Sequence, residues 1–143
     1  MSSQVANNWK ELLAHGTPAM ITDTFNMILM EPGFAFSRAS HEVYADIVGY
    51  ELPTAFGYTI GGKPLAGISI VNDAVLAAAV VSWNNLGWVV GGGNLQAAGA
   101  IVLDMTVVAP DLEPIVGFID FSGTITTYDG GTFTVANIEF LIQ

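Results

Sequence analysis

Apolar residues along the chain fall in short runs that glycine, proline and asparagine interrupt, at roughly the 8–12-residue spacing of all-β sandwiches. Most runs have the length of a strand, and Ile115–Phe121 alternates apolar and polar positions most clearly. The predicted strands are Thr24–Met30, Phe56–Ile60, Leu65–Val71, Val75–Trp83, Ala98–Val108, Ile115–Phe121, Thr124–Tyr128, Thr132–Val135 and Ile138–Ile142.

Two segments near the start favour short helices. Asn7 and Asn8 precede Trp9–His15, in which Trp9, Leu12 and Leu13 fall on one stripe. Ser40 is a suitable N-cap for a second helical turn over His41–Val48.

The pattern predicts an all-β fold: a single-domain antiparallel β-sandwich, jelly-roll or Ig-like, with one or two short N-terminal helices. A length of 143 residues agrees with one domain. We expect residues 1–16 to form an N-terminal arm with a short helix, and residues 17–143 to form the sandwich.

The charge balance narrows the possible partners. Charged residues make up 11% of the chain, against about 25% in ordinary domains. Three basic and thirteen acidic residues give a net charge of −10, which argues against nucleic acid and anionic membranes as partners. The uncharged stretch Ala74–Leu103 is broken by glycines and asparagines into strand-sized pieces, so no membrane span is expected. The N-terminus lacks the apolar run of a signal peptide.

No residue pattern indicates catalysis, a metal site or a cofactor. The chain has no cysteine, and its histidines, His15 and His41, lack the spacing of a metal motif. No serine lies in a GxSxG sequence, and Asp111-x-Glu113 is only a faint echo of a calcium loop. We therefore expect a non-enzymatic protein.

Aromatic and leucine side chains at predicted strand ends and in the arm are the candidate contact residues. Interfaces are enriched in aromatics and depleted in charge, so the low charge content favours intersubunit contacts. The candidate capsid or subunit interface comprises Trp9, Leu12, Leu13, Phe34, Phe36 and Trp88.

Three segments together resemble a family of small tailed-bacteriophage virion proteins. They are DTFNMILM (Asp23–Met30), HEVYADIVGYELPTAFGYTIGGKPLAG (His41–Gly67) and IVGFIDF (Ile115–Phe121). Their order and approximate spacing agree with the family's pattern over Trp9–Gln143. The resemblance implies a capsid decoration, or cement, protein: a homotrimer on the virion head, assembled in the host cytoplasm, that clamps the major capsid protein.

In that picture Trp9 and Leu13 of the arm plug into a capsid subunit or a sister chain. Two alternatives stay open. One is a neck, tail or fibre component of the virion. The other is a carbohydrate- or ligand-binding β-sandwich, in which exposed Trp83, Trp88 and Tyr128 stack on sugar rings.

Overall fold

The computed structural model describes residues 2–143, which form ten β-strands, one α-helix and two 3-10 turns. The helix α1 spans Asn7–His15, and the 3-10 turns span Tyr44–Asp46 and Val48–Tyr50. The strands are β1 (Ser2–Val5), β2 (Phe25–Met30), β3 (Lys63–Pro64), β4 (Ser69–Asp73), β5 (Ala78–Trp83), β6 (Leu86–Val89), β7 (Leu95–Asp104), β8 (Ile115–Thr127), β9 (Thr132–Val135) and β10 (Ile138–Ile142).

The larger sheet has five antiparallel strands in the order β1-β8-β7-β2-β3. Strands β2 and β7 are almost continuously apolar because both of their faces are covered. Phe140 of β10 packs on one face, against Gly117. Phe34 and Phe36 pack on the opposite face, against the adjacent Phe118. A Cβ at position 117 would lie 2.4 Å from the Gln4 carbonyl oxygen, so glycine lets β1 and Phe140 approach.

The second layer is a three-stranded antiparallel sheet in the order β10-β5-β4. Trp83 of β5 meets Phe25 of the larger sheet, with ring centroids 5.3 Å apart. A two-stranded ribbon of β6 and β9 completes the fold. The predicted all-β, antiparallel, sandwich-like architecture with short helical segments near the start is confirmed.

The N-terminal segment is not a free arm, which corrects the predicted division at residue 16. Strand β1 pairs with β8, from Ser2 opposite Asp120 to Val5 opposite Gly117. Helix α1 buries Trp9 and Leu12 in the main core, where Trp9 meets the ring of Phe25 edge-on at 6.2 Å. The apolar stripe was identified correctly, but its partner is the chain's own sheet.

Several predicted elements differ from those observed. Phe56–Ile60 is a turn rather than a strand, because Phe56 and Gly57 have positive φ angles of 56° and 96°. The expected helix over His41–Val48 is replaced by the two 3-10 turns. Asp46 stabilises the first of them in place of Ser40: its Oδ2 accepts hydrogen bonds from the backbone N–H groups of Glu42 and Val43.

Strand β8 combines two strands that the sequence predicts separately, Ile115–Phe121 and Thr124–Tyr128, with a break at Gly123. Ser122 and Gly123 have positive φ angles, and the register with β7 shifts between Ala97 and Gly99. The glycine therefore marks a bulge inside one long strand. The turn after the predicted strand Leu65–Val71 also lies later than that strand's end indicates, since Asn72 and Asp73 belong to β4.

Candidate interaction surface

Half of the six predicted interface residues lie inside the protein. Trp9, Leu12 and Trp88 have relative exposures of 0%, 3% and 1%. Trp88 is enclosed by the rings of Tyr58 and Phe133, at centroid distances of 5.9 and 6.5 Å. These three residues stabilise the core and do not reach a partner from the folded chain. Leu13, Phe34 and Phe36 remain partly exposed at the edge of the core.

Phe34 and Phe36 belong to a surface cluster that also contains His41 and Tyr50; we call these four residues the aromatic patch. Phe34 stacks on His41 with centroids 5.6 Å apart and contacts Tyr50 at the same distance. Phe36 lies 5.7 Å from His41. Both phenylalanines rest on buried Phe118 of β8, at 5.5 and 5.4 Å. The central strand thus supports the patch from below.

Backbone hydrogen bonds hold the segment that carries the patch. After β2, the N–H of Phe34 donates to the Glu31 carbonyl at 3.1 Å, which closes a turn through Pro32-Gly33. The Glu31 N–H donates to the Tyr50 carbonyl at 2.8 Å and brings Tyr50 alongside. His41 Nδ1 accepts the N–H of Ser37 at 3.1 Å, so this ring nitrogen carries no proton.

The aromatic patch borders a shallow cleft of about 240 Å³ lined by Gly33, Phe34, Ala35, His41 and Tyr50. Tyr50 is 52% exposed although it is a large aromatic residue. Rings with an apolar body and a polar edge suit contact with another protein. Phe34 and Phe36 are among the interface residues predicted from the sequence, but Tyr50 is not. The sequence feature that indicates Tyr50 is its position in the phage-like segment His41–Gly67, outside every predicted strand.

Glu51 lies beside the patch in a buried network with Tyr44 and Tyr58. Its Oε1 accepts hydrogen bonds from the Tyr58 hydroxyl at 2.6 Å and the Gly61 N–H at 2.7 Å. Its Oε2 accepts one from the Tyr44 hydroxyl. Burial and the bond to Glu51 raise the pKa of both phenols far above their ordinary value, so the hydroxyls stay protonated donors. Both carboxylate oxygens accept hydrogen bonds from groups of the same chain, which makes the network structural.

Asp104, at the end of β7, is the second buried carboxyl group, with 0% exposure. Its Oδ1 accepts the N–H groups of Thr106 at 2.9 Å and Val107 at 3.3 Å. Burial, reinforced by the nearby Asp23 carboxyl group, raises the pKa of Asp104 to about 7. Paired carboxyl groups occur in catalytic dyads, but the side chain of Asp104 is fully buried and closed to substrate.

The histidines do not form a metal site with the acidic residues. His15 lies 3.7 Å from Glu11 on an exposed surface of α1, whereas His41 lies in the aromatic patch. Residues 2–143 contain no group of three or more potential metal-ligating side chains. Within the same residues, no helix is long and apolar enough to cross a bilayer.

The predicted sugar-stacking platform is not present. Trp83 and Trp88 have exposures of 6% and 1%, and only Tyr128, at 70%, is on the surface. A sugar ring needs an open aromatic face, which neither tryptophan offers. The candidate site is therefore the aromatic patch rather than a tryptophan surface.

Comparison with known proteins gives no relative: no family model, curated protein sequence or solved structure matches this chain.

Proposed function

We propose that this protein is a non-enzymatic structural component of a tailed-phage virion, a decoration protein that binds the major capsid protein on the outside of the head. The observation that carries the proposal is the placement of the three family-like segments. Asp23–Met30, His41–Gly67 and Ile115–Phe121 are distant in sequence, yet they form one hydrogen-bonded unit.

The first and second segments are joined along β2. The N–H of Leu52 donates to the Leu29 carbonyl at 3.0 Å, and the N–H of Leu29 donates to the Tyr58 hydroxyl at 3.2 Å. Asn26 Nδ2 donates to the Gly61 carbonyl at 3.1 Å. Tyr58 and Gly61 of the second segment thus form hydrogen bonds directly with residues of β2.

The second and third segments meet at the start of β8. The N–H of Ile115 donates to the Glu42 carbonyl at 2.9 Å, and the N–H of Tyr44 donates to the Glu113 carbonyl at 3.1 Å. Segments that define one fold are expected to contact one another, as these three do. Their convergence here favours a shared fold, and with it the virion function that the resemblance implies.

The aromatic patch is the surface that we assign to capsid binding. It places two partly exposed phenylalanines beside this unit and a half-exposed tyrosine within it, in a chain with few charged residues. Aromatic anchors of this kind dominate the binding energy of protein interfaces. A neck, tail or fibre location stays as the alternative within the virion, and the same experiment tests it.

The test is co-sedimentation of the purified protein with isolated phage heads and, separately, isolated tails. We expect saturable binding to heads that lack the protein. Tyr50→Ala should weaken it roughly tenfold, because it removes one aromatic anchor. Tyr128→Ala is the matched control: it deletes a tyrosine that is 70% exposed, outside the patch, and should change binding less than about twofold.

Binding to tails alone would move the protein to the tail. Binding to neither particle would refute the virion function. If the two tyrosine substitutions changed binding equally, the proposed binding to heads would stand. The aromatic patch, however, would no longer be assigned as the binding surface.

A further inference from the structure

Strand β4 lies at the open edge of the smaller sheet, whose order is β10-β5-β4. Within residues 2–143, Ser69–Asp73 make no backbone hydrogen bond outside their pairing with β5. Their outer edge therefore presents free N–H and C=O groups. Natural proteins usually protect such an edge with lysine, proline or a bulge. Here the sequence SIVND has neither residue, and its register with β5 is uninterrupted.

Each face of β4 carries one exposed apolar side chain. Ile70 pairs with buried Val81, which places it on the core-facing side of the sheet, yet it is 41% exposed. Val71 pairs with Val80 on the other side and is 56% exposed. Apolar residues on successive positions are typical of a strand covered on both faces. The centre of the edge strand, Ile70-Val71, thus has the apolar pattern of an interior strand.

The hairpin tip that follows β4 is rigid and equally uncovered. Asp73 Oδ1 accepts the N–H groups of Val75 at 2.9 Å and Leu76 at 3.0 Å, which fixes the turn. Val75 is 94% exposed and Leu76 is 47% exposed. An ordered apolar tip loses little conformational entropy on binding, so it is prepared for contact.

We infer that β4 pairs with β4 of a second copy of this chain, antiparallel and about a two-fold axis at Val71. The contact would join the two three-stranded sheets into one of six strands. Antiparallel edges are self-complementary, since a two-fold axis matches donors with acceptors. In this register Val71 faces Val71 of the second copy, Ile70 faces Asn72, and Ser69 faces Asp73.

Charge favours a second copy at this edge. Two molecules of net charge −10 repel each other over most of their surfaces, but residues 64–85 carry one charge, that of Asp73. The two Asp73 side chains lie at opposite ends of the paired strands, each opposite a serine. The inference rests on the edge of the smaller sheet and not on the proposed capsid function.

The first experiment measures molar mass by light scattering and sedimentation equilibrium over a wide concentration range. We expect a monomer–dimer equilibrium. Val71→Asp should raise the dimer dissociation constant about tenfold or more, because it places two carboxylates directly opposite each other. Val89→Asp is the matched control: the same change on β6, at a valine that is 72% exposed, should leave dimerisation unchanged.

A second pair of variants tests the register. Ser69→Lys places a cation opposite Asp73 of the second copy and should lower the dimer dissociation constant roughly fivefold. Ser69→Asp places two carboxylates opposite each other there and should loosen the dimer by a similar factor. Ser40→Lys and Ser40→Asp make the same changes of net charge at an exposed loop and correct for general repulsion.

A strict monomer at every concentration would overturn the inference, and so would a dimer that Val71→Asp does not weaken. The trimer implied by the phage resemblance would overturn it too, because edge pairing about a two-fold axis closes at two copies. Ser69 variants that respond no differently from their Ser40 counterparts would refute the register at Val71.

Discussion

The two buried carboxyl groups, those of Glu51 and Asp104, have different hydrogen-bonding environments. Glu51 accepts hydrogen bonds from two tyrosine hydroxyls and one backbone N–H, so both of its buried oxygens are paired inside the protein. Asp104 has two backbone donors on one oxygen, while its other oxygen is buried without a hydrogen-bond partner and the Asp23 carboxyl group lies nearby. It therefore retains a proton at a pH where an exposed aspartate has lost it.

The retained proton predicts a stability that falls as the pH rises. The pKa of Asp104 is about 7 in the folded protein, against an ordinary value of 3.8. Between these values the folded state holds the proton more tightly than the unfolded state does, so the free energy of unfolding decreases with rising pH. Asp104→Asn imitates the protonated form. At about pH 8 the variant should be more stable than the wild type by roughly 1–3 kcal/mol.

Urea unfolding of both proteins between about pH 4 and pH 8 measures this effect. The two stabilities should converge at the acid end and separate through neutrality. Parallel curves would mean that Asp104 is ionised throughout.

At the scale of elements, the turn at Gly61-Gly62 supports the whole second family-like segment. Both glycines have positive φ angles, of 95° and 71°. They differ in their surroundings: a Cβ at Gly62 would lie 1.9 Å from the Met27 carbonyl oxygen, while no atom lies within 4 Å of one at Gly61. Gly62 is therefore required both for its backbone conformation and for the close approach of the turn to β2.

The glycine pair allows strain and clash to be measured separately. Gly61→Ala should lower the free energy of unfolding by about 1 kcal/mol, because alanine is strained at a positive φ angle. Gly62→Ala adds a backbone collision and should cost about 3 kcal/mol or more. Chemical denaturation of the two variants gives both numbers, and equal losses would show that the turn moves aside without resistance.

Element prediction succeeded where local pattern decides structure and failed where distant contacts do. Thr132–Val135 and Ile138–Ile142 have the predicted bounds, since alternation along each strand matches its buried face. Phe56–Ile60 has the aromatic and β-branched composition of a strand, yet it turns because Glu51 binds the Tyr58 hydroxyl and the Gly61 N–H. The pattern of apolar and polar residues in this five-residue segment gives no sign of its contact with Glu51.

The candidate site was predictable in part for the same reason. Phe34 and Phe36 follow a strand and a Pro-Gly turn, which marks them as surface aromatics. Tyr50 joins them only because the Glu31 N–H reaches the Tyr50 carbonyl. Trp9 and Trp88 were misassigned because residue type alone does not separate an interface aromatic from a core one; the fold buries both.

At the scale of the whole molecule, the N-terminal segment and the sandwich form one cooperative structure. Deletion of residues 2–16 removes four core side chains, namely Val5, Ala6, Trp9 and Leu12, and uncovers the edge of β8. We expect the shortened chain to lose cooperative thermal unfolding, because this burial is a large share of a marginal stability. Circular dichroism melting and near-ultraviolet spectra measure the loss.

Deletion of residues 2–4 alone is the control, since Ser2, Ser3 and Gln4 are exposed and leave the core intact. That variant should still melt cooperatively, at a slightly lower temperature. A cooperative transition in the chain lacking residues 2–16 would instead show that residues 17–143 fold alone.

The pairing of β1 with β8 has a consequence for how the chain is made. Ser2 is synthesised well before its partner Asp120, and β2 similarly waits for β7. The larger sheet cannot close during translation, and such non-local pairing is slow. The β4–β5 hairpin, joined by a short turn, forms locally and early. Until the larger sheet closes, nascent chains thus display this apolar edge, where premature association can begin.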